Sequence, residues 1–319
     1  MEIIEYSDEW KEKWDEFVIN SSNGTMFHMQ KFFDYHIPGK FKFNHLIFLE
    51  KNKIKAVLPG SIINGTLFES PIGASYGSIV IGDITFKETM EIVSTLIEYA
   101  KKNGLKELML TAAPMIYETY PNHNLDFAML WQGFNFDLHY ISSAIKLDKK
   151  LDIIERFRPT IRRNIRKSIK EGITVEINER YDEFYPILIE NKARHNVTPT
   201  HSYDDLMKLK KLMPDRLKLF MVYLDDKPIG GSLMFYANKN VAICFYNMLL
   251  YDYAQYKPIQ RVMYEVVKDA TENGYNYVDI GVSQDTSADN PMTPSMNLID
   301  FKEKFDAKSI MRNTLHLKL

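Results

Sequence analysis

Ile259, Val262, Met263, Val266, Val267 and Ala270 stand at i, i+3, i+4, i+7, i+8 and i+11. They form one helical stripe suited to packing on a sheet, while Lys268, Asp269 and Glu272 face water. Pro258 suits the first helical position, where its missing N–H would be an orphan anyway, and Asn273-Gly274 tolerates the left-handed stop. Apolar runs at 241–250 and 275–281 flank this stripe, so the pattern predicts strand, helix over 259–273, and parallel strand. The helix N-terminus then points unpaired N–H groups above the sheet. A polar loop over 282–297 follows, then a short helix with Phe301-Lys302-Glu303-Lys304-Phe305. Leu315, Leu317 and Leu319 alternate with His316 and Lys318 in a closing strand over 309–319.

Upstream, the same rules predict strands at 2–6, 44–50, 54–63, 75–81, 105–111 and 136–147. Helices are expected from Ser7, near 29–35, over 86–102 and near 125–132. After Asp148-Lys149-Lys150 come a helix over 151–171, a strand over 173–178, helices over 181–193 and 203–213, and strands over 217–224 and 229–236. A shift of 170 residues sets Asn103-Gly104 on Asn273-Gly274 and pairs Ile92 with Val262, Leu96 with Val266, Ala100 with Ala270 and Leu108 with Val278. The charged turn after Leu49 likewise matches the one after Leu224. Two copies of one α/β domain, at 1–148 and 149–319, are the expectation. Chance recurrence of a helix, an Asn-Gly stop and a strand is the alternative, because apolar spacing repeats by physics alone.

The length of 319 residues fits two domains, and 45% hydrophobic content fits an ordinary globular chain. With 40 basic and 42 acidic residues, no global charge steers it toward DNA or an acidic membrane. Cys244 is the one cysteine and lies in an apolar strand, so a disulfide framework within the chain is excluded and a reducing, cytoplasmic setting is expected. No apolar run reaches the ~18 residues of a membrane span.

Four stretches could carry chemistry. The helix at 156–170 holds Arg156, Arg158, Arg162, Arg163, Arg166, Lys167 and Lys170 with no acid among them. That suits a polyanion such as RNA or a phosphorylated glycan, and equally a solvated face balanced by acids elsewhere. Lys302 projects from a helix anchored by Leu298, Phe301 and Phe305; an ammonium in a dry site can stabilise developing negative charge, and a surface lysine is the plain alternative. Around Pro199, Arg194, His195 and His201 gather at a helix end: Arg194 suits a phosphate or carboxylate, and His201 is either a base for an acceptor amine or a helix cap. Tyr76 lies in the backbone-permissive run from Glu69 to Gly77, with His28 and His36 elsewhere in the same half. Ser283 lies in the polar 282–297 loop, and Tyr246 and Asn247 leave the neighbouring strand close to the same edge, where open sheets bind ligands. No His/Cys cluster has metal spacing, so no metal is expected.

The order of elements around 240–305, followed by FKEKFDAK, resembles the GNAT acyltransferases and within them the FemAB/FemX-like branch, whose members carry two such domains. The resemblance implies an α/β (α+β) fold of two tandem GNAT-like domains, each a mixed, mostly antiparallel sheet with flanking helices. It implies an acyl or aminoacyl transfer to an amine of an amino sugar or cell-envelope glycan precursor. Lys302 would hold the charge on the acyl carbonyl, Arg194 would grip the acceptor's phosphate, and Phe27-His28 matches a segment near the acceptor pocket. His36, Tyr76, Tyr246, Asn247 and Ser283 complete the acceptor contacts; Tyr256, Lys257, Gln260, Arg162 and Arg166 would face the donor. The wider family's Gln/Arg-x-x-Gly-x-Gly/Ala signature reads Gln255-Tyr256-Lys257-Pro258-Ile259-Gln260 here, without glycine. Acyl-CoA and aminoacyl-tRNA therefore both stand as donor substrates, with no tightly bound cofactor. The acceptor partner would be a small molecule or a lipid-linked glycan, and tRNA a further partner. Where the family usually has glycine, this chain has Asp306. The alternative function is a non-catalytic double-GNAT protein gripping RNA or a phosphorylated glycan through 156–170.

Overall fold

A computed structural model describes residues 1–194 and 196–319. Its contacts divide the chain into two units, Met1–Tyr140 with Met311–Leu319, and Ile141–Ile310.

The first unit runs β1 (Glu2–Glu5), α1 (Lys11–Asn20), α2 (Gln30–Phe33), β2 (Leu46–Glu50), β3 (Lys53–Leu58), β4 (Ser61–Ile63), β5 (Leu67–Ser70), β6 (Val80–Ile81), α3 (Phe86–Lys102), β7 (Glu107–Thr111), α4 (Asn124–Trp131) and the start of β8 (Asn135–Lys146). Pro59-Gly60 interrupts the single strand expected over 54–63. β3 joins the order β1-β2-β3-β6, whereas β4 pairs β5. Of the strand expected over 75–81, only β6 forms. β5 pairs β7 in parallel with α3 between them in sequence. Phe48, Phe68, Ile92, Leu96 and Leu108 fill the core.

The second unit runs α5 (Ile153–Arg156), α6 (Pro159–Lys170), β9 (Thr174–Asn178), α7 (Tyr181–Ala193), α8 (Tyr203–Leu212), β10 (Leu217–Leu224), β11 (Lys227–Tyr236), β12 (Val241–Leu249), α9 (Pro258–Glu272), β13 (Tyr277–Val282), α10 (Met296–Glu303) and β14 (Lys308–Lys318), whose last residues return to the first unit. The helix expected over 151–171 is two. Pro159 has no N–H to give and pushes Arg158 to φ −57, ψ 148, off the helical region. Ser168 is buried in place of Ile169, which is 49% exposed. α6 and α9 pack on one sheet face through Ile161, Ile165, Val262 and Val266.

Both units contain the same two devices. The hairpin turns Lys51-Asn52 and Asp225-Asp226 all have positive φ, the geometry whose twist suits a two-residue hairpin. Each unit also has a helix that ends in Asn-Gly, with Gly104 and Gly274 left-handed, before a strand parallel to an earlier one. The boundary at 148/149 expected from sequence differs from the contact division because of the closing strands. Residues 314–318 of β14 pair β7, while residues 142–146 of β8 serve β13.

Gly77 makes a closer demand. A Cβ there would lie 2.3 Å from Ser70 Oγ and 2.6 Å from Pro71 N, and Gly77 N donates to Thr111 O. Gly77→Ala is expected to cost about 1–3 kcal/mol by overpacking, measured by urea unfolding; a cost below ~0.5 kcal/mol would mean the loop relaxes freely.

Candidate functional site

The second unit's sheet opens at one seam. β12 and β13 pair only at Val241, Ala242 and Ile243 against Tyr277, Val278 and Asp279. Beyond that, β12 continues to Leu249 without β13, and a bulge makes Phe245 an extra residue on β12. On β13, Asp279 Oδ1 accepts from Gly281 N (2.7 Å) and Ser142 Oγ (3.0 Å), and Gly281 has φ 76, so the strand turns at its end.

Lys302 closes this end. Phe301 and Phe305 root α10 in the core, Phe305 meeting Phe157 at 5.3 Å, and the lysine between them is 6% exposed. Its Nζ donates to Gly281 O (2.7 Å), Val282 O (2.9 Å) and Ser283 Oγ (2.9 Å). An ammonium has three N–H groups, and all three have acceptors. Burial pulls its pKa down to about 8, against the opposing pull of Asp279 and Cys244. Ser283 is itself held, its N donating to Ile141 O and its O accepting from Ser295 N, both at 2.8 Å. Asp306, standing where glycine was the expected residue, has φ 63 and so takes the glycine-like conformation; its carboxylate receives Arg156 at 2.8 and 3.1 Å.

Across the seam, Ser232 and Asn247 are partners in the β11–β12 ladder and so share a face. Ser232 Oγ donates to Tyr246 O and lies 3.1 Å from Cys244 Sγ. Burial pushes the Cys244 thiol up to about 11, so it is a neutral packing group. Asn247 Oδ1 is buried without a hydrogen-bond partner. Tyr246 Oη lies 2.9 Å from His201 Nδ1, and His201, 2% exposed, sits among Phe235, Phe245 and Tyr246. Burial pushes the Tyr246 hydroxyl up to about 12. Arg194 is exposed and stacks 4.4 Å over Tyr251; His195 lies outside the described residues. Lys257 takes the left-handed conformation before Pro258 opens α9 (φ 61, ψ 45), a role otherwise given to glycine, with Tyr256 and Gln260 half-buried on either side.

The basic helix differs from its sequence picture. Arg156 pairs Asp306, Arg162 and Arg166 both pair Glu155, and Lys167 approaches Glu171. Arg158, Arg163 and Lys170 are the exposed remainder. In the first unit, His28 and His36 are bound into the fold. His28 Nδ1 accepts from Thr25 N and its Nε2 donates to Gly77 O, and burial lowers its pKa to about 4. His36 Nε2 donates to Gly73 O at 2.8 Å. Together they brace the loop carrying Tyr76, whose ring meets Phe27, Tyr117 and the Arg312 guanidinium. Sequence reasoning missed Asp279, Ser142 and Ser232. The acid within the apolar run Tyr277-Val278-Asp279-Ile280 was the available signal. Among the described residues no group of three or more His, Cys, Asp or Glu could hold a metal, and no helix is long and apolar enough to cross a membrane.

Comparison with known proteins agrees with this geometry. Residues 155–291 match the Acetyltransferase (GNAT) domain model. FemX superposes with a TM-score of 0.72 at 12% identity, over 100% of this chain and 98% of FemX. The C-terminal domain of a putative lysylphosphatidylglycerol synthetase from Agrobacterium fabrum gives 0.62 at 14% identity, over 97% and 91%. A tandem GNAT protein from the clavulanic acid biosynthesis pathway gives 0.57 at 9%, over 99% and 98%. No curated protein sequence matches the chain. The chain has the tandem GNAT fold of FemX-like proteins, with a GNAT acetyltransferase-type domain over residues 155–291.

Proposed function

We propose that the chain is an acyltransferase that moves an acyl or aminoacyl group onto an amine of an amino sugar or cell-envelope glycan precursor. The observation that carries this reading is the buried Lys302 ammonium at the open seam of a GNAT-type sheet. The amine nitrogen bonds to the acyl carbon, the carbonyl oxygen gains charge, and the C–S or C–O bond to the donor then breaks, the amine's proton leaving to solvent. Gly281 O and Val282 O are fixed backbone acceptors, whereas the Ser283 hydroxyl rotates. The oxyanion takes the hydroxyl's place on Nζ without orphaning a carbonyl. Such a pre-placed charge in a dry site acts strongly on a transition state.

Arg194 serves as an acceptor contact and Asn247 as a seam contact, while His201 positions Tyr246. Acyl-CoA and aminoacyl-tRNA stand side by side as donors; one structural neighbour's name mentions AcCoA and another's lysylphosphatidylglycerol synthesis. A purely RNA- or glycan-gripping role for 156–170 is less supported, since four of its seven basic residues have acidic neighbours. To test the transfer reading, the protein is incubated with acetyl-CoA or charged tRNA and a panel of amino sugars, and products are followed by mass spectrometry. One donor class should yield an amide product. Neither donor being consumed with any amine, while the chain remains folded, would overturn the proposal.

A further inference from the structure

Asp279 stands where the seam begins. It is the last residue of β13 to pair β12, opposite Ile243, and on its other side it pairs Ala144 of β8. Between Asp279 and Val282 the β8 ladder breaks step, and the Gly281 N–H turns to a side chain, Asp279 Oδ1, at 2.7 Å. The carbonyl of the same Gly281 accepts from Lys302 Nζ, also at 2.7 Å. Carboxylate and ammonium thus grip one residue from its two ends.

An acid at this position needs a reason. Asp279 is 0% exposed, and its Oδ1 accepts from Gly281 N and Ser142 Oγ. An asparagine oxygen would accept both bonds without the cost of burying a charge. Lys302 has the complementary problem. Its buried ammonium gives its three N–H groups to two carbonyls and a hydroxyl, none of them charged. The titratable groups that act on it are Asp279 on β13 and Cys244 on β12, and burial keeps the thiol neutral, its pKa pushed up to about 11. The acids of α10 itself, Asp300 and Glu303, are exposed, and Asp300 is paired with Lys304. Asp306, just beyond α10, is taken by Arg156. The carboxylate of Asp279 is left as the charge that compensates the lysine.

We propose that Asp279 is a positioning residue for the transfer, its carboxylate holding the turn that presents Gly281 O and supplying the buried counter-charge of the Lys302 ammonium. Only the kinetic consequence rests on the transferase reading. The charge pairing itself is read from stability.

Asp279→Asn keeps an acceptor for both bonds and removes the charge. The test is urea unfolding of this variant and of the parent, each with and without Lys302→Met, across pH ~6–10.5. The cost of the buried ammonium is fully present below the folded pKa of Lys302 and is relieved as pH rises above it. Without the counter-charge that folded value drops, so relief in the Asp279→Asn pair should begin at least ~1 pH unit lower than in the parent pair. Where turnover is measurable, its fall at high pH should move down by the same amount. A merely structural role would lower turnover at every pH and leave that limb in place. If Asp279→Asn alone does not fold, adding Lys302→Met should restore folding, because neither charge is then left uncompensated. Relief beginning at the same pH in both pairs, or a double variant that is unfolded or no more stable than additive losses predict, would overturn the proposal. A stability shift as expected with no turnover from any form would uphold the charge pairing and count against the transferase reading.

Discussion

Lys302→Met lowers turnover by ~10²–10³-fold, the usual loss when a pre-placed oxyanion donor is removed, and leaves the protein folded. The methionine fills the lysine's stem, and the seam loses its ammonium. Stability shows the same group from the other side. Because the folded pKa of Lys302, about 8, lies below the ordinary 10.5, the charged form is disfavoured by folding. That cost is fully present below pH 8. Between pH 8 and 10.5 the unfolded chain holds a proton that the folded chain has released, so stability rises, by about 3 kcal/mol from this group. The Cys244 thiol opposes the trend at higher pH, so the measurement is the difference between parent and Lys302→Met across this window. Turnover of the parent should fall as pH rises through 8, since the ammonium is the working form. A rate that climbs through pH 8 and survives in Lys302→Met would show that the lysine carries no charge to the reaction.

Phe305→Ala is expected to cost about 3–5 kcal/mol, the range for deleting a buried phenylalanine, and on the order of 10 °C in the melting midpoint for a unit of this size. Phe305 is 1% exposed and touches Phe157 and Phe301 at ring distances of 5.3 Å. Removing the ring leaves a void beneath α10, so Lys302 loses its fixed base as well. Urea unfolding measures the first effect. Turnover at a temperature where the variant is still folded measures the second, and a variant that keeps both full activity and a loss below ~1.5 kcal/mol would show that α10 is held by other contacts.

Helix α9 was legible because its stripe, its proline and its Asn-Gly stop agree on the same boundaries. The devices shared by the two units were legible for the same reason: local turn chemistry recurs, and Lys51-Asn52 and Asp225-Asp226 adopt the same left-handed geometry. What periodicity could not say is which strand pairs with which. The alternation in β14 fixes its buried face but not that β7 would be its neighbour, about 200 residues earlier. The break at Pro159 was written in the sequence, yet the basic run around it reads as one helix because apolar positions continue across it. Sequence left Lys302 between a dry-site ammonium and a surface lysine because its acceptors are two backbone carbonyls and a hydroxyl about 20 residues away. Only the fold brings them to it.

The placement of β14 also orders events during synthesis. Residues 311–319 complete the sheet beside β7, so the unit translated first stays short of one strand until all of the second has left the ribosome. Its β7 edge is meanwhile an unpaired template of the kind that invites wrong partners. The half of the chain that emerges earliest is thus the half that finishes last.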